Sequence, residues 1–130
     1  MRYEDAVRFH GHKGPFMTLG YRAGLTAILK LTRNPFDLTC TVKIPLRKPF
    51  SCVLDGIQCS CGCTLGKLNL KVEDSDDFVI LFEQVSTKRR LVMRVRRRII
   101  DMILSGESGD ELADMIYNAP IDELFELYEE

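Results

Sequence analysis

The sequence predicts an α+β fold: an antiparallel β-sheet meander with packed helices and a helical C-terminal extension. Three observations predict it. Apolar residues recur every three or four positions up to Leu31, again from Phe50 to Ile57, and again beyond Ile99, which is the spacing of half-buried helices. Between the last two stretches lie runs in which apolar and polar residues alternate, the spacing of half-buried strands. Those runs are joined by the short links Asp74–Asp77 and Ser86–Arg89, which imply antiparallel neighbours. Segregation of strands from most of the helices favours α+β.

Taken in order, residues 1 to 9 read as a short helix, with Tyr3, Ala6 and Val7 at helical spacing. His10-Gly11-His12-Lys13-Gly14-Pro15 ends it, because two glycines and a proline oppose continuation. Pro15 suits the first turn of the next helix, where a missing N–H costs nothing. That helix runs to about Leu31 on a stripe of Phe16, Leu19, Ala23, Ala27 and Leu31. Its small residues Gly20, Ala23, Gly24 and Ala27 suit close packing. Asn34-Pro35 is a turn, and Leu38 to Pro45 alternates as a strand with Cys40, Val42 and Ile44 on one face. Pro49 opens a helix that buries Phe50, Val53, Leu54 and Ile57, with Asp55 and Gln58 on another side near its end. A cysteine-rich loop follows.

Three strands are expected after Gly66: one through Leu68, Leu70 and Val72, then Phe78 to Val85, then Arg90 to Arg97. The rest reads as helix. Ile99, Met102 and Ile103 form one apolar group, Ser108 to Glu111 has the form of a capping box, and Pro120 opens a last helix striped by Ile121, Leu124, Phe125 and Tyr128. The expected organisation is a core over residues 1–98 and a helical extension over 99–130, packed on the core or on a second copy of the chain.

Composition narrows the function. With 130 residues, 45% hydrophobic and 28% charged, the chain can bury a core without disulfide support. A formal net charge of -1 gives no reason to expect nucleic acid. No apolar run is long enough to span a bilayer, and the N-terminal MRYEDAVR lacks the apolar region of a signal peptide. The expected compartment is therefore the cytoplasm, where the five cysteines are thiols or metal ligands. Charge is blocked: Lys88 to Arg98 holds seven basic residues and no acid, and Asp101 to Glu130 holds ten acids and no Lys or Arg. This pattern favours packing of the tail against the basic strand, within one chain or between two.

Chemistry-bearing residues concentrate in two stretches. His10 and His12, the two histidines of the chain, lie in a glycine-bounded loop and can present two imidazoles to one ion. Cys59, Cys61 and Cys63 fall within five residues, and Cys63 with Cys61 could complete a tetrahedral zinc set. The spacing alone leaves a plainer reading open, with cysteines as small buried apolar groups, as suits Cys40 and Cys52, and histidines bonded to backbone. Asp55 is a candidate general base or a residue that orients a ligand histidine; otherwise it is a solvated helix-end residue. Lys67 is a candidate anchor for an anionic or carbonyl group; otherwise it faces solvent on a strand.

Two motifs carry a resemblance. F-H-G-H-K-G-P-F-M-T-L-G-Y-R-A-G is similar to F-H-G-H-x-C-P-G-x-x-x-G-x-R of the FmdE family, proteins associated with formylmethanofuran dehydrogenase. D-G-I-Q-C-S-C-G-C-T-L-G-K-L-N-L resembles the second motif of that family, D-A-I-Q-x-x-T-G-C-T-x-G-K-G-N-L. The resemblance covers about residues 5 to 97. Matching positions are Phe9, His10, Gly11, His12, Pro15, Gly20 and Arg22 in the first motif. In the second they are Asp55, Ile57, Gln58, Gly62, Cys63, Thr64, Gly66, Lys67, Asn69 and Leu70. The resemblance implies an α+β core and a cleft that holds a divalent metal, zinc first with nickel or iron as alternatives. It implies His10, His12, Cys61 and Cys63 as ligands, Asp55 beside them and Lys67 as anchor. It also implies a role accessory to one-carbon metabolism and a formylmethanofuran dehydrogenase-type complex as partner. Nothing in the chain suits the molybdenum or tungsten pterin of that complex, and whether the protein is itself an enzyme stays open.

The chain departs from the pattern where Gly14 replaces a cysteine and Leu68 a glycine. If the missing thiol is a ligand or reactive group in relatives, this chain has either lost the function or supplies the sulfur from Cys59 or Cys61. No cysteine follows Cys63, so the C-terminal zinc ribbon of some relatives is not expected. The competing expectation is a non-catalytic homodimer without a functional metal site, whose acidic helices dock on the basic strand of a second copy.

Overall fold

A computed structural model describes residues 1–106 and 109–130. Helix α1 spans Tyr3–His10 and α2 Pro15–Lys30; strand β1 spans Leu38–Ile44 and helix α3 Val53–Cys61. Strands β2 (Leu70–Asp74), β3 (Val79–Gln84) and β4 (Arg90–Val95) follow, then helices α4 (Arg97–Leu104), α5 (Gly109–Asn118) and the one-turn α6 (Ile121–Leu124), and finally strand β5 (Phe125–Glu129). The class is α+β. Ser108, the expected first residue of the capping box, lies outside the described residues.

The sheet runs in the order β2-β1-β3-β4-β5 and is mixed, not a meander. β3 and β4 form the expected hairpin, Ile80 opposite Met93 and Phe82 opposite Leu91. β2, however, lies on the far side of β1 and parallel to it, Cys40 aligned with Leu70 and Val42 with Val72. α3 and its flanking segments form the crossover that a parallel pair requires. Alternation identifies a strand but not its neighbour, and the Asp74–Asp77 link here carries the chain past the end of β1, where Ser75 N–H donates to the Ile44 carbonyl.

The chain's last residues also differ from expectation. After α6 the backbone extends, and Phe125 to Glu129 pair antiparallel with Leu91 to Val95. Ile121, Leu124, Phe125 and Tyr128 fit a helical stripe, but Phe125 and Leu127 also alternate with Glu126 and Tyr128, and the open edge of β4 decides between the two. The charge blocks meet here inside one chain. Arg89 pairs with Glu129 at 3.2 Å, Arg90 with Glu130 at 3.2 Å and Arg96 with Glu126 at 3.8 Å.

One sheet face is apolar: Cys40, Val42, Ile44, Ile80, Phe82, Leu91 and Met93 are buried beneath Leu19, Ala23 and Ala27 of α2 and Val53 and Ile57 of α3. α2 and α3 cross at backbone distance. A Cβ on Gly20 would overlap the Val53 carbonyl, and one on Gly56 the Met17 carbonyl. Gly20 and Gly24 serve this contact, while Ala23 and Ala27 pack in the main core. Arg22, a matching residue of the first motif, donates to the Ile116 and Tyr117 carbonyls at 2.7 Å each. It thereby satisfies carbonyls in the last turn of α5 that have no helical partner.

Candidate functional site

α1 ends at His10 because Gly11 takes a left-handed conformation, φ 104°, and its N–H closes on the Val7 carbonyl. α3 begins two residues before Asp55, after a 3-10 turn over Phe50–Cys52. The helix therefore starts later than expected from Pro49 and reaches Cys61, so Asp55 lies in its first turn and Cys59 and Cys61 are helical rather than in a loop. The contact of α1 with α3 puts His10 Nδ1 2.6 Å from Asp55 Oδ2. A carboxylate there accepts a proton carried on Nδ1, so in the neutral ring Nε2 is the nitrogen that offers a lone pair. Nε2 is buried and has no hydrogen-bond partner among the described residues. A buried polar atom so left costs about 1–3 kcal/mol and calls for an occupant such as a water or ion.

The His12 ring lies 4.9 Å from that of His10, centre to centre. Both histidines line a cavity of about 240 Å³ with Gly14, Phe16, Cys52 and Ile103. A Cβ at Gly14 would stand 2.9 Å from His12 Cε1 and 3.3 Å from its Nε2. The cysteine of the resembling motif would thus lie against this ring, and Gly14 removes a sulfur from this side of the cavity. Cys52, expected to be core filler, is the thiol that lines the cavity. Burial, and then the Asp55 carboxylate, push this thiol up. Its spacing was the available signal: three residues before Asp55 is about one helical turn.

Cys61 and Cys63 are elsewhere. Cys61 lies six positions after Asp55 on the helix, a net rotation of about 120° that puts them on different faces. Cys61 donates to the Ile57 carbonyl at 3.2 Å, and Cys63 reaches the Leu38 carbonyl at 3.6 Å. Both are buried in the main core with Cys40. The hydrogen bond with Cys61, and then burial, push the Cys63 thiol far up. Cys59 is buried with Met17 and Tyr21 in a second small cluster. The structure thus does not bring the expected set His10, His12, Cys61 and Cys63 together. Among the described residues no group of three or more His, Cys, Asp or Glu is placed to hold a metal ion.

Lys67 is also spent locally, its Nζ donating to Thr64 Oγ1 at 3.0 Å. The other polar residues of the second motif do the same. Gln58 Oε1 accepts from Leu65 N–H at 3.0 Å, and Asn69 Oδ1 from Thr64 N–H at 2.9 Å. Asn69 Nδ2 donates to the Pro35 and Leu38 carbonyls at 2.9 and 3.1 Å. These bonds pin the loop before β2 to the start of β1.

Comparison with known proteins gives a family. Residues 9–126 match the family model FmdE, described as "FmdE, Molybdenum formylmethanofuran dehydrogenase operon". The match extends past the two motifs through α5 and into β5. No curated protein matches the chain. No helix among the described residues is long and apolar enough to cross a membrane.

Proposed function

Because the chain belongs to the FmdE family, we propose that the cavity at His10 and His12 binds a divalent metal ion, zinc first, in a protein accessory to formylmethanofuran dehydrogenase-related one-carbon metabolism. The observation that carries this reading is His10 itself: Nδ1 held by Asp55 and Nε2 buried without a partner among the described residues. A ligating histidine takes this form, its second nitrogen fixed by a carboxylate. In this reading His10 Nε2 is the anchoring ligand. The described side chains as placed form no three-residue ligand group, so the exposed His12 and the half-buried Cys52, which line the same cavity, turn toward the ion as second nitrogen and sulfur, in place of Cys61 and Cys63. Imidazole and thiolate together suit zinc, nickel or iron better than calcium or magnesium.

A divalent ion in such a site supplies Lewis acidity. The residues around it do the remaining work. Asp55 fixes the tautomer and orientation of His10. Phe16 and Ile103 line the cavity with apolar surface that disfavours bulk water. Lys67, bonded to Thr64, serves the loop.

The experiment is a cobalt titration of metal-free protein followed by absorption. Wild type is expected to give saturable visible bands of cobalt in a low-symmetry site and a near-ultraviolet sulfur-to-cobalt band. His10→Ala abolishes both, and Cys52→Ser abolishes the sulfur band. Absence of saturable binding in wild type overturns the reading. The competing homodimer draws on the same charge blocks, which within one chain join the acidic tail to the basic strand.

A further inference from the structure

A second and larger cavity, about 550 Å³, opens at one end of the sheet, where Pro45 follows β1, Phe78 precedes β3 and Val95 ends β4. Its floor is apolar, made of the buried Phe50, Phe78, Val95 and Ile100, with the half-exposed Leu104 also on its lining. Its rim carries Arg47, Arg94 and Arg97 together with Asp76, Asp77 and Glu126. An aromatic cluster separates it from the histidine cavity, Phe16 tilted against Phe50 at 5.4 Å and stacked on Phe78 at 5.5 Å between ring centres.

The arginines are poorly used by the protein. Arg94 stands 3.8 Å from Asp77 and Arg97 3.5 Å from Asp101, both beyond the roughly 2.7–2.9 Å of a charge-assisted bond. Arg47 has no acidic partner among the described residues; its guanidinium lies over the Phe50 ring at 5.0 Å, at the edge of the apolar floor. Glu126 is held just as loosely, by Arg96 at 3.8 Å, and Asp76 has no cation partner among the described residues. A volume of this size is that of a small-molecule site, with apolar walls and a few polar groups that set orientation. Guanidiniums with free donors call for a carboxylate or similar anion. The three rim acids oppose a second negative charge.

We propose that this cavity binds an amphipathic monoanion, an aryl- or branched-alkyl carboxylate, with its body on Phe50, Phe78 and Ile100 and its charged end on Arg47 and Arg97. The site is separate from the histidine cavity and does not depend on a metal there.

The test uses the fluorescent arenesulfonate 1-anilinonaphthalene-8-sulfonate and its uncharged relative N-phenyl-1-naphthylamine on the full chain. The anion is expected to bind saturably at one site. Arg47→Gln and Arg97→Gln, both at exposed residues, each weaken it about tenfold, as expected for one charge-assisted bond, and change binding of the uncharged probe less than about twofold. Leu104→Glu weakens both probes, and His10→Ala neither. 4-Phenylbutyrate displaces the anion, whereas 4-phenylbutylamine and phenyl phosphate do not. Undiminished binding of the anion in both arginine variants, with circular dichroism showing them folded, overturns the proposal. So does equal displacement by the amine, or the absence of saturable binding.

Discussion

The two stretches that carry the family motifs end in opposite states. Around residues 58–69 every motif side chain with a polar end is bonded: Gln58, Thr64, Lys67 and Asn69 each have a partner within the loop or on the segment before β1. At His10 one nitrogen is held and the other is buried without a partner among the described residues. Both stretches are rich in chemically capable residues, and residue type alone does not separate them. What separates them is whether their bonds are met. A polar group whose bonds are met inside the fold is scaffold, and one left unmet inside the fold is where a ligand belongs.

Substitutions in the two regions should therefore differ in kind. The largest effect is expected from Asn69→Ala, which removes three hydrogen bonds and leaves the partly buried Pro35 and Leu38 carbonyls short of a donor. Urea unfolding should report a loss of about 3 kcal/mol, while metal-free His10→Ala should lose no more than about 1 kcal/mol, because removing the unpartnered Nε2 offsets the lost bond to Asp55. Equal losses at the two positions would erase the distinction between scaffold and site.

Cys63→Ser comes next. It places a hydroxyl among buried apolar groups and should cost about 2 kcal/mol in thermal or urea unfolding, yet leave metal binding intact. Gly14→Cys works on the other region, restoring a sulfur beside His12, which is exposed and can turn to admit the new Cβ. Zinc affinity measured by competition with a chelator should rise about tenfold, or about 1.4 kcal/mol. No rise would mean that position 14 does not face the ion.

The smallest effect is expected at Leu68, which holds φ 58° with its side chain 83% exposed. Leu68→Gly relieves a left-handed leucine and should stabilise by about 1 kcal/mol in the same unfolding assay, without touching metal binding. A destabilised Leu68→Gly would show that the leucine makes contacts that outweigh its strain.

How much of the fold and site is legible in the sequence follows from the physics of each signal. α2, β1 and the β3–β4 hairpin are readable because a single periodicity fits each and short turns bound them. The place of β2 is not, because alternation carries no information about which strand lies alongside. The β5 segment is ambiguous between two periods, and only the free edge of β4 resolves it. The site is half legible. His10 and His12 sit together because glycines flank them, and Asp55 meets His10 through the crossing of α1 and α3, which no local pattern specifies. The cysteines mislead because the helix beginning at Val53 runs to Cys61, which turns Cys61 away from Asp55 while Cys52 lines the cavity with His10 and His12. A helix read one turn too short makes Cys59 and Cys61 look like part of the loop that holds Cys63, and Cys52 like filler.

The most direct test is metal content of tag-free protein by elemental mass spectrometry, with wild type, His10→Ala and Cys63→Ser prepared side by side. About one zinc, nickel or iron per chain is expected in wild type and in Cys63→Ser, and none in His10→Ala. Metal lost in Cys63→Ser and kept in His10→Ala would contradict a site at His10, and would move it into the bonded loop of residues 58–69.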